Sequence, residues 1–260
     1  MPLARADLES LLRARRLDRT LTTALPGIDP RDEAAVAPSA LAVLDAHLGG
    51  GLPRGQLSEI VGARSSGRTS LLLQLAAAAT ARGELVAVVD ALDALDVESA
   101  AAAGIDLPRL LWVRGHVVTN PGLCGDLNQR ALEQAIRAFT LVLQAGNFGL
   151  VVLDVAEAPA QALRRLPFTT WLRLQRMVEG TQTAALLVGN QPMARSSAGL
   201  TLRLTTGGLG SGDRGLDGAD VRFGRTLFEG LNIEARMTRA HMREREEGSV
   251  TLRTVPDNCA

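Results

Sequence analysis

Beyond residue 36, compact apolar runs alternate with longer stretches whose apolar positions recur every three or four residues. Residues 56–61 form one short run leading into a glycine-bearing loop, and 85–90, 110–113, 150–155 and 184–190 are others. These predict strands. Between them, 68–82, 97–103, 127–145 and 161–179 predict helices. Strands separated by helices specify a largely parallel sheet covered on both faces, because each parallel connection must cross over the sheet. After Leu200 the pattern changes. Residues 200–204, 231–239 and 250–255 alternate without intervening helices, as antiparallel strands do. The stretch 205–220, rich in Gly and Asp, reads as a flexible loop.

Ahead of this region, 7–21 predicts a helix with Leu8, Leu11 and Leu12 on one stripe. Residues 26–38, interrupted by Pro26, Gly27, Pro30 and Pro38, predict a linker. The chain therefore divides into an N-terminal helix and linker (1–35) and one α/β core domain (36–260). The fold class is a mostly parallel central sheet flanked by helices, with antiparallel strands at the C-terminal end and a short N-terminal helix.

Composition refines this picture. A hydrophobic share of 46% supports a sizeable core, and the absence of tyrosine leaves Leu, Val and Ala to fill it. A formal net charge of zero argues against a broad basic field for duplex DNA, though not against a local patch. The two cysteines, Cys124 and Cys259, have neither metal-binding spacing nor a disulfide framework. No apolar run is long enough for a signal peptide or a bilayer span, so the chain is expected to be soluble and cytoplasmic. All 28 cationic side chains are arginines, because the sequence contains no lysine.

That last fact bears on the chief motif. Gly62-Ala63-Arg64-Ser65-Ser66-Gly67-Arg68-Thr69 has the spacing of a phosphate-binding loop between a strand and a helix. Glycines let backbone N–H groups turn toward phosphate oxygens, and the helix N-terminus adds its positive dipole end. Gly62, Ser65, Ser66, Gly67, Arg68, Thr69 and Ser70 are the candidate nucleotide-binding residues. Thr69 or Ser70 would offer a hydroxyl to Mg²⁺. Position 68 ordinarily holds a lysine, and arginine differs in length and shape. Two readings stay open: the loop is a relic, or arginine holds phosphate in a lysine-free protein.

The stretch before the loop, Leu-Ala-Val-Leu-Asp-Ala-His-Leu-Gly-Gly-Gly-Leu-Pro-Arg-Gly at 41–55, precedes Glu59-Ile60-Val61-Gly62. Together with the loop, Asp90, Asp154 and Asn190-Gln191, it resembles the ATPase core of the RecA family over about residues 36–255. The resemblance implies a RecA-like core. It gives Asp154 the part of the acidic residue beside Mg²⁺, and Gln191 that of the γ-phosphate sensor. Arg236 and Arg239 fall near where that family carries cations reaching the next subunit's ATP, although an exposed strand face explains them as well.

Other positions depart from the family. Its catalytic glutamate lies two residues after the aspartate ending the second strand. Here that position is Leu92, which can neither take nor orient a proton. Asp93 is adjacent but is aimed differently. No catalytic residue is therefore assigned. The DNA loop that follows Asn-Gln in the family is reduced to 192–200, where Arg195, Ser196 and Ser197 remain. This combination is most similar to ImuA, the RecA-like accessory group of the bacterial translesion cassette.

The resemblance implies a regulatory or scaffolding role in DNA-damage-induced mutagenesis. The partners it implies are RecA, a Y-family polymerase and an inactive replicative-polymerase homologue. Contact with single-stranded DNA would be weak, and the N-terminal helix would allow self-association. ATP and Mg²⁺ would be held weakly or not at all. Two alternatives are an active Mg²⁺-dependent ATPase that binds single-stranded DNA, and a nucleotide-independent cap on RecA filaments. Trp112 and Trp171 are expected in the core rather than stacked on bases. The histidines are scattered and carry no assigned chemistry.

Overall fold

The computed structural model describes residues 36–115, 125–206, 232–240 and 249–253. The expected N-terminal helix, all but the last three residues of the 26–38 linker, and 207–220 of the flexible loop lie outside them, as does Cys124. The chain opens with β1 (Val36–Ala37), α1 (Ala42–Leu48) and β2 (Leu52–Pro53). A two-stranded antiparallel ribbon joins β1 to β2, where a linker is expected from sequence. Helix α1 ends at Gly49 in the left-handed conformation, and the Gly50 N–H returns to the Asp45 carbonyl at 2.7 Å. Glycine is required at 51 because a Cβ there would strike the Ala37 backbone. The triple-glycine signature is thus a tight return from helix to ribbon.

The core follows as β3 (Leu57–Gly62), α2 (Arg68–Ala81), β4 (Val86–Asp90), α3 (Val97–Ala102), β5 (Leu110–Arg114), α4 (Gly125–Ala145) and β6 (Leu150–Asp154). It continues with α5 (Ala160–Arg164), α6 (Phe168–Val178), β7 (Ala184–Gly189), β8 (Leu200–Thr206), β9 (Asn232–Ala240) and β10 (Ser249–Arg253). Among the described residues, eight strands form one sheet in the order β10-β9-β8-β3-β7-β6-β4-β5. The six from β8 to β5 run parallel, and β9 and β10 run antiparallel.

Two differences from the sequence pattern have local causes. The single helix expected over 161–179 is two helices. Pro167 begins the second, and a proline both lacks the N–H that would continue the first and disfavours helix at the residue before it. Strand β8, expected among the antiparallel strands, pairs parallel with β3 on one side and antiparallel with β9 on the other.

The apolar strands resolve into two faces by simple alternation. Val86 and Val88 of β4, Leu150 and Val152 of β6, and Leu186 and Val188 of β7 pack with α1 and α2. Ala87 and Val89, Val151 and Leu153, and Ala185 and Leu187 face α4 and α6, around Phe139 and Trp171. Helix α2 is buried nearly all round, from Leu71 to Thr80. Helix α4 buries Leu132, Ala135, Ile136, Phe139 and Leu143 as one stripe. The carboxyl ends of β3, β7 and β6 lie side by side, so the loops leaving them share one rim.

Candidate functional site

Strand β3 delivers the chain to Gly62, and the loop closes at Gly67, the residue before α2. Ser65 and Gly67 hold φ values of 62° and 89°, both left-handed. A Cβ on Gly67 would run into the Ile233 side chain of β9, and one on Gly62 would meet the Ser66 hydroxyl. Glycine is therefore fixed at 67 by conformation and by space, and at 62 by space. The Leu71 N–H takes the Gly67 carbonyl at 2.9 Å and starts the helix. No side chain caps α2, so its first N–H groups remain available to an anion.

Arg68 lies in the first turn and is only 6% exposed. Its Nη1 is buried with no hydrogen-bond partner among the described residues, as is the Ser66 Oγ. The nearest charge is Glu157, on the loop after β6, whose Oε1 is 3.8 Å from Arg68 Nη2. The other oxygen of the same carboxylate stands 3.9 Å from Arg64 Nη2. These groups, with Ala156, Pro159, Ala160 and Asn190, line a hollow of about 360 Å³. The Asn190 Oδ1 is also buried without a partner. A glycine cradle, an uncapped helix start and an unsatisfied buried guanidinium together fit a phosphate group.

Asp154 ends β6 in register with Asp90 at the end of β4. Burial pushes its carboxyl up to about 6, against the Ala156 N–H, which favours the ionised form. The negative charge of Asp90 adds to the rise and the positive charge of Arg68 opposes it. Asp90 accepts the Leu95 N–H at 2.7 Å. Thr69 is exposed on the first turn of α2, whereas Ser70 lines a separate hollow with Leu41, Gln74 and Ile233. Among the described residues no group of three or more His, Cys, Asp or Glu side chains is arranged to hold a metal ion. Thr69 and Asp154, the residues expected from the sequence to serve Mg²⁺, stand on the first turn of α2 and at the end of β6, and neither lines the hollow of Arg68.

Leu92 packs against the core between the sheet and α4. Asp93 is held in a left-handed conformation by a two-pronged pair with Arg114, each contact 2.7 Å. That pair lowers the Asp93 pKa, chiefly through the hydrogen bond from Arg114. It makes Asp93 a tethered ion rather than a stand-in base. Arg114 also lies over the Trp112 ring, 4.5 Å from its centre, and Trp171 is buried as expected.

Gln191 does not line the hollow of Arg68. It borders a smaller one with Arg164, Phe168, Trp171 and Arg195, and its neighbour Asn190 faces the phosphate loop instead. In the segment 192–199, Met193, Ala194 and 197–199 are buried, whereas Pro192, Arg195 and Ser196 are exposed. Buried Glu59 of β3 accepts the Met193 and Ala194 N–H groups at 2.7 and 2.6 Å and the Thr201 hydroxyl at 3.1 Å. Arg236 is exposed on β9, opposite Arg203, and the Arg239 side chain lies outside the described residues. Sequence reasoning gave no role to Arg64, Glu59 or Glu157. Glu59 enters the sequence pattern only as part of the Glu59-Ile60-Val61-Gly62 motif and as a charge within an apolar strand.

Residues 25–162 match the model of the RecA N-terminal domain. The chain belongs to the RecA N-terminal domain family. Its curated relatives include Protein RecA of Clavibacter michiganensis subsp. michiganensis, 40% identical over 133 residues, which are 51% of this chain and 33% of that protein. Protein RecA of Leifsonia xyli subsp. xyli is 38% identical over 133 residues, again 51% and 33%. The match thus spans about a third of the RecA proteins' length. Among solved structures, the RadB recombinase shares the fold, with a TM-score of 0.55 and 18% identity, covering 84% of this chain and 96% of that one. The RecA-like α/β architecture expected from sequence is therefore the one observed. No described helix is long and apolar enough to cross a membrane.

Proposed function

We propose that this RecA-family chain is an accessory or regulatory protein in DNA-damage-induced (SOS) translesion mutagenesis, most like ImuA. It acts by contacting RecA, an error-prone polymerase, or both. Its site keeps nucleotide affinity but does not drive a recombinase. The observation that carries this reading is the pairing of a retained cradle with a missing base. Gly62, Gly67 and Arg68 keep a phosphate-shaped loop. Leu92, partly buried against the core, stands where a water-activating carboxylate belongs, and Asp93 is tied to Arg114. A general base must lie within hydrogen-bond reach of the water it activates. The anchoring of Met193 and Ala194 to Glu59 supports the same reading, because it ties a short connection to the core and leaves only Pro192, Arg195 and Ser196 of 192–199 exposed, little surface for ordering a DNA strand.

The test joins binding to turnover. The purified chain is expected to bind a fluorescent ATP analogue, to lose that binding on Arg68→Ala, and to release no phosphate above background with or without single-stranded DNA. It is also expected to retain RecA or a Y-family polymerase in a pull-down with purified partners. Strong DNA-stimulated hydrolysis abolished by Arg68→Ala would favour the recombinase-class ATPase and overturn the accessory reading.

A further inference from the structure

One carboxylate of this chain stands where the charge of a phosphate is wanted. Glu157 reaches back from the loop after β6 and sets one oxygen near each of two guanidinium groups, Arg64 and Arg68 of the phosphate loop. Both separations, 3.9 and 3.8 Å, exceed hydrogen-bond length, so the carboxylate is an electrostatic partner without being locked in place. The Glu157 side chain is 40% exposed and that of Arg64 86%, so both are free to swing. Arg68 is not: its side chain is 7% exposed and its Nη1 is unsatisfied. A buried guanidinium lacking a full set of acceptors is costly, and an oxyanion with several acceptor oxygens relieves that cost.

We propose that Glu157 is a built-in counter-anion of the phosphate loop, which a polyphosphate must displace to reach Arg68, and that Arg64 and Arg68 then clamp the displacing phosphate together. The idea rests on the nucleotide-binding reading above and extends it to two residues with no other assigned role. The physical ground is charge. Without ligand the two arginines and Glu157 leave one net positive charge facing the hollow. With Glu157 swung away there are two, in fork geometry suited to phosphate oxygens. The site then discriminates by ligand charge: a monophosphate competes poorly with the resident carboxylate, whereas a triphosphate competes well.

The experiment is titration calorimetry of the full chain and of Glu157→Gln with ATP and, separately, with sodium triphosphate, alongside thermal unfolding of both proteins without ligand. Removing the competing charge is expected to tighten triphosphate binding about tenfold, as loss of one like charge a few ångströms from a phosphate in a partly screened site should. The gain is expected to disappear in Glu157→Gln/Arg64→Ala. Equal or weaker binding by Glu157→Gln, when the wild type binds, overturns the counter-anion and leaves the nucleotide reading standing. Tighter binding of sodium triphosphate without binding of ATP supports the counter-anion and overturns the nucleotide reading. If neither protein binds either ligand, both are overturned.

Discussion

At the residue scale, Asp154 shows what it costs to keep a charge at the rim of this sheet. Desolvation at the strand end pushes its carboxyl up to about 6, above its ordinary value of 3.8, although the residue as a whole is half-buried. A group with a raised folded-state pKa binds its proton more tightly when folded. Its contribution to stability is therefore complete below about pH 4 and is lost as the pH rises through about 6. Above that, the ionised form burdens the fold by roughly 2–3 kcal/mol. Asp154→Asn removes the ionisation and keeps an Oδ1 for the Ala156 N–H, which donates at 2.9 Å. The variant is expected to be more stable than the wild type at pH 8, with the gap closing toward pH 4. Urea unfolding at several pH values checks this, and a gap that does not change with pH would contradict the shift. The position of Asp154 was legible in the sequence because a carboxylate closing an apolar strand stands out. That of Glu157 was not, because the path of a short loop decides whether a residue three positions on points toward Arg68 or toward solvent.

At the scale of the element, the segment 192–199 gains its shape from a strand it does not belong to. Glu59 sits in β3 with 1% exposure and satisfies two backbone N–H groups and a hydroxyl across the β7–β8 connection. Glu59→Ala would strand all three donors and is expected to cost about 2–5 kcal/mol. Glu59→Gln keeps Oε1 for both N–H groups, and the Thr201 hydroxyl can turn to accept from the new amide. It should therefore cost much less. Guanidinium-chloride denaturation of both variants separates the two, and equal losses would assign the effect to packing rather than hydrogen bonding. Periodicity marks the strands of this core well because burial on two faces leaves long apolar runs. It is blind to the break at Pro167, where the apolar pattern of 161–179 carries on through a backbone interruption. It also does not show which neighbour β8 takes, since alternation in one strand does not specify the direction of the next.

At the scale of the whole molecule, the end of the sheet opposite the phosphate loop is held by Arg54. Its guanidinium donates to the carbonyls of Val36, Gly149 and Gln182 and to Glu84, which also pairs with Arg82. These partners precede or belong to β1, β6, β7 and β4, so one side chain gathers the amino ends of four strands. Arg54→Lys preserves the charge but not the fork, and is expected to lower stability by about 2–3 kcal/mol. Nucleotide affinity should be unchanged, because the site lies at the other end of the strands. Differential scanning calorimetry with a parallel ligand titration tests both halves of that expectation, and a loss of affinity equal to the loss of stability would refute the separation. The layered α/β plan was legible from the alternation of patterns. This fastening was not, because a lone arginine in a glycine-rich stretch gives no hint of contacts with residues as distant in sequence as Gln182.

Ile233 fills the space that a side chain at position 67 would need. The phosphate loop therefore leans on a strand contributed by the far end of the chain, more than 160 residues later. Strand β9 is already joined to β3 through β8, and this contact adds a direct link between the strand and the loop. A ligand that steadies the loop would also steady the antiparallel pair β9–β10, and a partner that displaced that pair would loosen the loop. For a protein proposed to act by touching others rather than by turning over fuel, that contact is a path by which docking at one edge of the sheet is felt at the rim where phosphate would sit.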